Sequence, residues 1–324
     1  MSTHFSRADL NLDAVAEVER ISEWLRQQVH HTLRRYGAVV GISGGVDSSV
    51  VLALCTRAFG PGRVLGVLLP EQESSPESAP LAHQLAAQFE VETVTEDISG
   101  ALAGAGCYAR RDEAIRRVVP AYGPGWGAKI ALAGDVLEQA TLNVFRLVVT
   151  DPDGVEHGQR LPVKEFAQIV GASNFKQRLR MSMLYYHAEL RNYAVVGTAQ
   201  KNEHELGFFV KHGDGGVDLQ PLAHLYKTQV YQLAQALNIP DAIQARTPTT
   251  DTYPGGQTQE EFFYRLPFGL LDAIWLGHER GVAPAEVAAA LEVTVEQVER
   301  VVRDIESKRR ATAYLRAPAL NLLG

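Results

Sequence analysis

Apolar positions recur at three- and four-residue spacing over residues 14–35, with Val15, Val18, Ile21, Leu25 and Val29 on one face. That period predicts a helix, which Tyr36-Gly37 ends. The run AVVGI at 38–42 is short and wholly apolar, as in a strand buried on both faces. Residues 49–59 read as a helix closed by Gly60-Pro61-Gly62. A second buried strand (VLGVLL, 64–69), a second helix (80–89) and a third strand (91–95) follow. Strand and helix alternate, which predicts an α/β fold with a doubly wound parallel sheet and flanking helices.

The period weakens over residues 100–171, where glycines, prolines and charges interrupt it. This stretch reads as an insertion of lower regularity holding one hairpin, with Asp153-Gly154 at its turn. Regular structure resumes with a helix at 174–190, a strand at 193–197 and a helix at 227–237. Residues 259–315 read as a helical C-terminal part, with two of its helices joined near Glu292. The organisation expected is one domain over residues 1–324 carrying the insertion.

The 324 residues are 46% hydrophobic and 21% charged, ordinary for a globular chain. A net charge of −7 weighs against a nucleic-acid partner, which draws a basic surface. No apolar run is long enough for a membrane span and the N-terminus lacks the shape of a signal peptide, so a cytoplasmic protein is expected. The two cysteines, Cys55 and Cys107, form no CxxC pair, so zinc or thiol-redox chemistry is not indicated.

The chemistry concentrates in Ser43-Gly44-Gly45-Val46-Asp47-Ser48-Ser49, between a strand and a helix. Two glycines let backbone amides approach an anion, and the helix N-terminus faces it. Asp47 would repel a bare phosphate, which points to a bridging Mg²⁺. The chain has neither GxxxxGK[ST] nor GxGxxG, so a Walker loop and a redox dinucleotide site are not supported. Taken alone, Asp and Ser here would read as a helix cap, Lys201 and Glu203 as solvated loop charges, and Asp214-Gly215-Gly216 as a turn.

The 43–48 string resembles the SGGxDS loop of the N-type ATP pyrophosphatases. Four further stretches resemble ammonia-dependent NAD synthetases. They are Asn174-Phe175-Lys176-Gln177-Arg178-Leu179-Arg180-Met181, then Gly197-Thr198-Ala199-Gln200-Lys201-Asn202-Glu203, and the segment from Val210-Lys211-His212-Gly213-Asp214 through Asp218 and Pro221 to Tyr226-Lys227-Thr228. The last is Arg246-Thr247-Pro248-Thr249-Thr250-Asp251. Gln200 and Asn202 stand where the family has Asn and Ser, and Ser307-Lys308-Arg309 lacks the family's His.

The resemblance implies an adenine nucleotide alpha-hydrolase-like fold and amidation of a carboxylate through an acyl-adenylate. The implied reaction takes deamido-NAD, ATP and ammonia to NAD, AMP and pyrophosphate. The alternative is the same chemistry on another acid of a sugar or secondary-metabolite pathway. It implies that Gly41, Ser43, Gly44, Gly45, Val46, Asp47, Ser48, Ser49, Arg178, Thr198, Lys211 and Thr249 bind ATP. Mg²⁺ would be held by Asp47, Glu203 and Thr249. Asp47, Lys201 and Lys211 would be catalytic, and Asp214, Asp218 and Lys308 would face the acyl substrate. A homodimer is implied, with ammonia free or supplied by a separate glutaminase.

Overall fold

The computed structural model describes residues 4–132, 136–137, 145–248 and 258–322. The first half builds α1 (Ala14–Gln27), β1 (Ala38–Gly41), α2 (Val46–Phe59), β2 (Val64–Leu68), α3 (Ser78–Gln88) and β3 (Glu92–Thr95). After α4 (Ser99–Gly104) and α5 (Cys107–Val118) come β4 (Gly127–Leu132), β5 (Phe145–Thr150) and β6 (Glu156–Arg160). The long α6 (Val163–Arg191), β7 (Ala194–Val195), α7 (Lys201–Leu206), α8 (Lys227–Ala236) and α9 (Asp241–Gln244) follow. The C-terminal part is α10 (Phe268–Glu279), α11 (Pro284–Leu291), α12 (Val295–Ala311) and α13 (Ala313–Arg316), with Glu292 in the left-handed region between α11 and α12.

The central sheet has the order β3-β2-β1-β7, and every pairing is parallel. Its strands alternate between two cores. Ala38, Val40, Val64, Leu68 and Ala194 face one side, with α1, α2, α3 and α8. Val39, Leu65, Val67 and Val195 face the other, with α4, α5 and α6. Both faces are covered at β1 and β2, so these strands carry no polar alternation, as their sequence implied, while the edge strand β3 (ETVT) is partly exposed. This is the doubly wound α/β fold with a helical C-terminal part.

The 100–171 stretch departs from expectation. It is regular: α4 packs on the central sheet through Leu102, while α5 and strands β4 and β5 of an antiparallel sheet of order β4-β5-β6 share a third core with the start of α6. Its hairpin turns where Asp151 Oδ1 accepts from the Asp153 and Val155 amides and Gly154 takes φ +84°. Two helices also begin earlier than read. α2 starts at Val46, because Gly45 ends the extended backbone there and serves as its N-cap. α6 starts at Val163 behind Pro162.

Candidate active site

The C-terminal ends of β1 and β2 and one face of α6 enclose a cavity of about 660 Å³. A second niche of about 90 Å³ adjoins it, and Ser43, Gly45, Asp47 and Gln259 line both. The 43–48 turn therefore stands between them. Gly44 is at φ +72°, and a Cβ there would lie 2.7 Å from the Ser78 carbonyl oxygen, so only glycine fits. The turn is braced from within: the Ser43 amide donates to Ser48 Oγ, and Ser48 Oγ donates to the Gly45 carbonyl. The first amides of α2 have no helical acceptor and face the niche end of the helix.

Asp47 sits in the first turn of α2. Its Oδ2 accepts from Lys227 Nζ at 2.5 Å, and Lys227 is fully buried. Its Oδ1 is buried without a hydrogen-bond partner. Glu203, on α7, faces the cavity from a crowded position; burial, then the Asp47 charge, pushes its carboxyl up to about 8. Burial would depress Lys227, but Asp47 and Glu203 outweigh it and raise its pKa. The Lys227 ammonium satisfies one Asp47 oxygen and leaves the other buried and unpaired, an arrangement that a bound cation would complete. Among the described residues no three His, Cys, Asp or Glu side chains are grouped to enclose a metal. An arrangement with two protein carboxylates, completed by phosphate oxygens and water, suits Mg²⁺, which keeps several waters and substrate oxygens.

A buried brace sets these groups. Gln200 caps α7 by accepting from the Asn202 amide. Asn202 donates to Asp272 and accepts from the Lys227 amide, while Asp272 also takes the Thr228 amide and hydroxyl. Of the two departures from the family strings, Gln200 caps α7 and Asn202 ties it to α8 and α10.

Gly41, Ser43, Gly45, Asp47, Ser48, Thr198, Glu203, Asp214 and Lys308 line the main cavity, and Val46 lines the niche. Asp214 opens onto the cavity and accepts from the Val210 amide, and the protein packed around it pushes its carboxyl up to about 6. Lys308 bonds Asp304 and the Phe263 carbonyl, and burial lowers its pKa.

Several expected residues stand elsewhere. Ser49 is fully buried and its hydroxyl is committed to the Gly45 carbonyl. Asn174, Gln177, Met181 and Leu184 put one stripe of α6 on the cavity, and Arg178, one residue past Gln177, points away and is exposed. Arg180 lines the cavity instead, with its Nε on the Leu69 carbonyl. Lys201 is bound by Glu205 (2.5 Å) and Glu279 (3.0 Å) beside Trp275, outside both cavities. Lys211 gives its ammonium to the Tyr314 and Ala317 carbonyls. Asp218 accepts from Tyr185 OH and the Val195 amide, bracing the β7 end of the sheet. Thr249 lies outside the described residues. Sequence reasoning missed Lys227 and Arg246 as site residues, although both lie in the quoted strings. Arg246 lines the niche and donates to the Ser43 and Gly44 carbonyls and to Ser78 Oγ.

A family model described as NAD synthase matches residues 17–115 and 133–315. The chain belongs to the NAD synthase family. It is 51% identical over 311 residues to the NH(3)-dependent NAD(+) synthetase of Mesorhizobium japonicum, covering 96% of this chain and 97% of that protein. Identity to the NH(3)-dependent NAD(+) synthetase of Thermotoga maritima is 32% over 292 residues, covering 90% and 96%. Among solved structures, the NH3-dependent NAD synthetase from Campylobacter jejuni, in complex with the nitrate ion, matches with a TM-score of 0.61 at 21% identity. That match covers 96% of this chain and all of the other. NMN synthetase from Francisella tularensis matches with a TM-score of 0.61 at 22% identity, covering 96% and 99%. At such identities the solved structures speak for the NAD synthase fold alone. The family match skips 116–132, which spans the end of α5 and all of β4.

Proposed function

We propose that this chain is an ammonia-dependent NAD synthetase, converting deamido-NAD, ATP and ammonia to NAD, AMP and pyrophosphate. The observation that carries the reading is the phosphate turn with Asp47, Lys227 and Glu203 converging beside it, in a chain half identical to an enzyme of that name. The substrate carboxylate attacks the α-phosphorus of ATP, the Pα–O–Pβ bond breaks, and pyrophosphate leaves. Ammonia then attacks the acyl carbon, loses a proton, and expels AMP as the amide forms.

The turn at 43–48, with its amides and the N-terminus of α2, holds the departing phosphates. Lys227 and Arg246 add positive charge at the niche where pyrophosphate would gather. Asp47 and Glu203 would hold Mg²⁺, which when bound neutralises charge on the triphosphate. Thr198 lines the nucleotide cavity, and Asp214 and Lys308 stand where the acyl substrate would enter. The protein supplies position and charge rather than a nucleophile. Consistent with that, burial raises the pKa of both thiols, Cys55 and Cys107, leaving neither activated. We further place the active protein as a homodimer in the cytoplasm, fed by free ammonia or by a separate glutaminase. Among the described residues no helix is long and apolar enough to cross a membrane.

The test is pyrophosphate release with ATP, Mg²⁺ and ammonium, with and without deamido-NAD. NAD formation is expected; ATP binding without turnover on deamido-NAD would assign the amidation to a different acid.

A further inference from the structure

The loop joining β2 to α3 carries two acids that do not touch the cavity. Glu71 is fully buried and Glu73 nearly so. Lys176 of α6, itself buried, donates to Glu71 Oε1 at 3.0 Å and Glu73 Oε2 at 2.6 Å. Arg111 of α5 donates to the same Glu73 oxygen at 2.6 Å, and Tyr108 OH donates to Glu71 Oε2 at 2.7 Å. Arg111 also holds its neighbour Asp112. Burial alone would raise the Glu73 carboxyl; Arg111 and Lys176 outweigh it and hold it below the usual range, so it is charged.

The neighbours of these residues do form the cavity. Leu69, Pro70, Ser74 and Ser75 line it from the loop, and Asn174 and Gln177 line it from either side of Lys176. The loop is folded around the Glu71 carboxylate, which also accepts from the Glu73 amide, while the Glu71 amide donates to Ser74 Oγ. At the loop's far end the Ser78 carbonyl abuts Gly44 of the phosphate turn. A buried ion cluster adds little stability over apolar packing of the same volume.

We propose that Lys176, Glu71, Glu73 and Arg111 are positioning residues for ATP: their cluster clamps the Ser74–Ser75 wall against the phosphate turn and makes nucleotide affinity depend on the docking of α5. The proposal rests on ATP being the ligand of the cavity.

The test is the double variant Glu73→Gln/Arg111→Met in the full chain. It removes one negative and one positive charge together and leaves the Glu71–Lys176 pair balanced. The calorimetric Kd for ATP with Mg²⁺, and the KM for ATP, should rise about tenfold. At saturating ATP kcat should stay within about twofold, with the KM for ammonium unchanged. An unchanged Kd, or a loss of kcat with every KM unchanged, overturns the proposal. Should that protein not fold, Arg111→Lys replaces it, keeping the charge but losing the fork that spans Glu73 and Asp112. A rise in Kd of about threefold is then expected, and none overturns the proposal. Because calorimetry needs no acid, a parent chain that binds ATP yet makes no NAD refutes the reaction assigned above and leaves the clamp to be judged on Kd.

Discussion

The Asp47–Lys227 pair allows stability and catalysis to be separated in one mutant cycle. Lys227 is fully buried and Asp47 is its hydrogen-bonded partner at 2.5 Å. Asp47→Asn keeps the shape but strips a buried cation of its counter-charge, a change that costs about 3–5 kcal/mol where nothing compensates. Here Glu203 compensates in part. The Asp47 charge is one reason its carboxyl is raised, so without it Glu203 ionises more readily beside Lys227. The cost should therefore fall near the lower limit, about 3 kcal/mol, or a drop of roughly 5 °C in Tm for a chain of this length. Asp47→Asn/Lys227→Met removes both charges and should recover most of that stability, because a neutral pair no longer needs solvation. Turnover should behave differently. Both variants lack the Asp47 carboxylate, so kcat for NAD formation should fall about 100-fold or more in each. Thermal melts without nucleotide and pyrophosphate release at saturating Mg²⁺ are the two assays. Near-normal kcat in Asp47→Asn would refute the metal assignment, and a double variant no more stable than the single one would refute the account of the pair.

Other consequences are checked in the same way. Glu203 is protonated to a higher pH in the folded protein than in the unfolded chain, with pKa values of about 8 against 4.5. Its contribution is full below the unfolded value and is lost as pH rises toward 8, so metal-free Tm should decline between pH 5 and 8 on this account; Mg²⁺ should restore it, and Glu203→Gln should flatten the profile. A metal-free Tm that rises over that range contradicts the burial argument. Gly44→Ala places a Cβ against the Ser78 carbonyl at positive φ, which should cost about 1–3 kcal/mol and weaken ATP binding, seen by melts and titration. Lys201→Ala should lower stability by about 2 kcal/mol while kcat/KM stays within about fivefold, since Lys201 braces Glu205 and Glu279 outside the cavity. A large loss of kcat at unchanged Tm would return Lys201 to the chemistry.

Sequence pattern was most informative where one physical requirement acted on neighbouring residues. Strands β1 and β2 must be apolar on both faces because helices cover both, and the pattern says so within a few residues. The phosphate turn is local as well: glycine where a Cβ would strike Ser78, a carboxylate in the first helical turn, hydroxyls that tie the turn together. The inserted stretch was misread for an equally physical reason. The buried side of α5 holds Cys107, Tyr108, Arg111, Ala114 and Ile115, so its stripe is broken by an arginine that belongs to an ion cluster. The first turns of α6 turn Ile169 toward the inserted sheet, and later turns send Leu179 and Met183 to the central one. A helix that changes partners midway shows no single face, and its start at Val163 was hidden.

The lysines fail differently, and the failure is instructive about charge in general. A motif tells which residue type stands at a position, but a cation is free for a ligand only if the fold leaves it unpaired. Lys201 meets Glu279 from a distant helix, and Lys211 meets carbonyls at the chain's far end. Neither distant partner can be read from the residues beside the lysine, although Glu205, one helical turn on from Lys201, can. Lys227 has the reverse history: within Tyr226-Lys227-Thr228 it resembles an ordinary helix-start residue, yet its ammonium crosses to Asp47. What turns that pairing from structure into function is the oxygen it leaves over. One ammonium satisfies one oxygen of Asp47, the second stays buried and bare, and burial with the Asp47 charge raises the Glu203 carboxyl. Nucleotide-bound Mg²⁺ is an ion whose arrival would satisfy that bare oxygen and offset the Glu203 charge together.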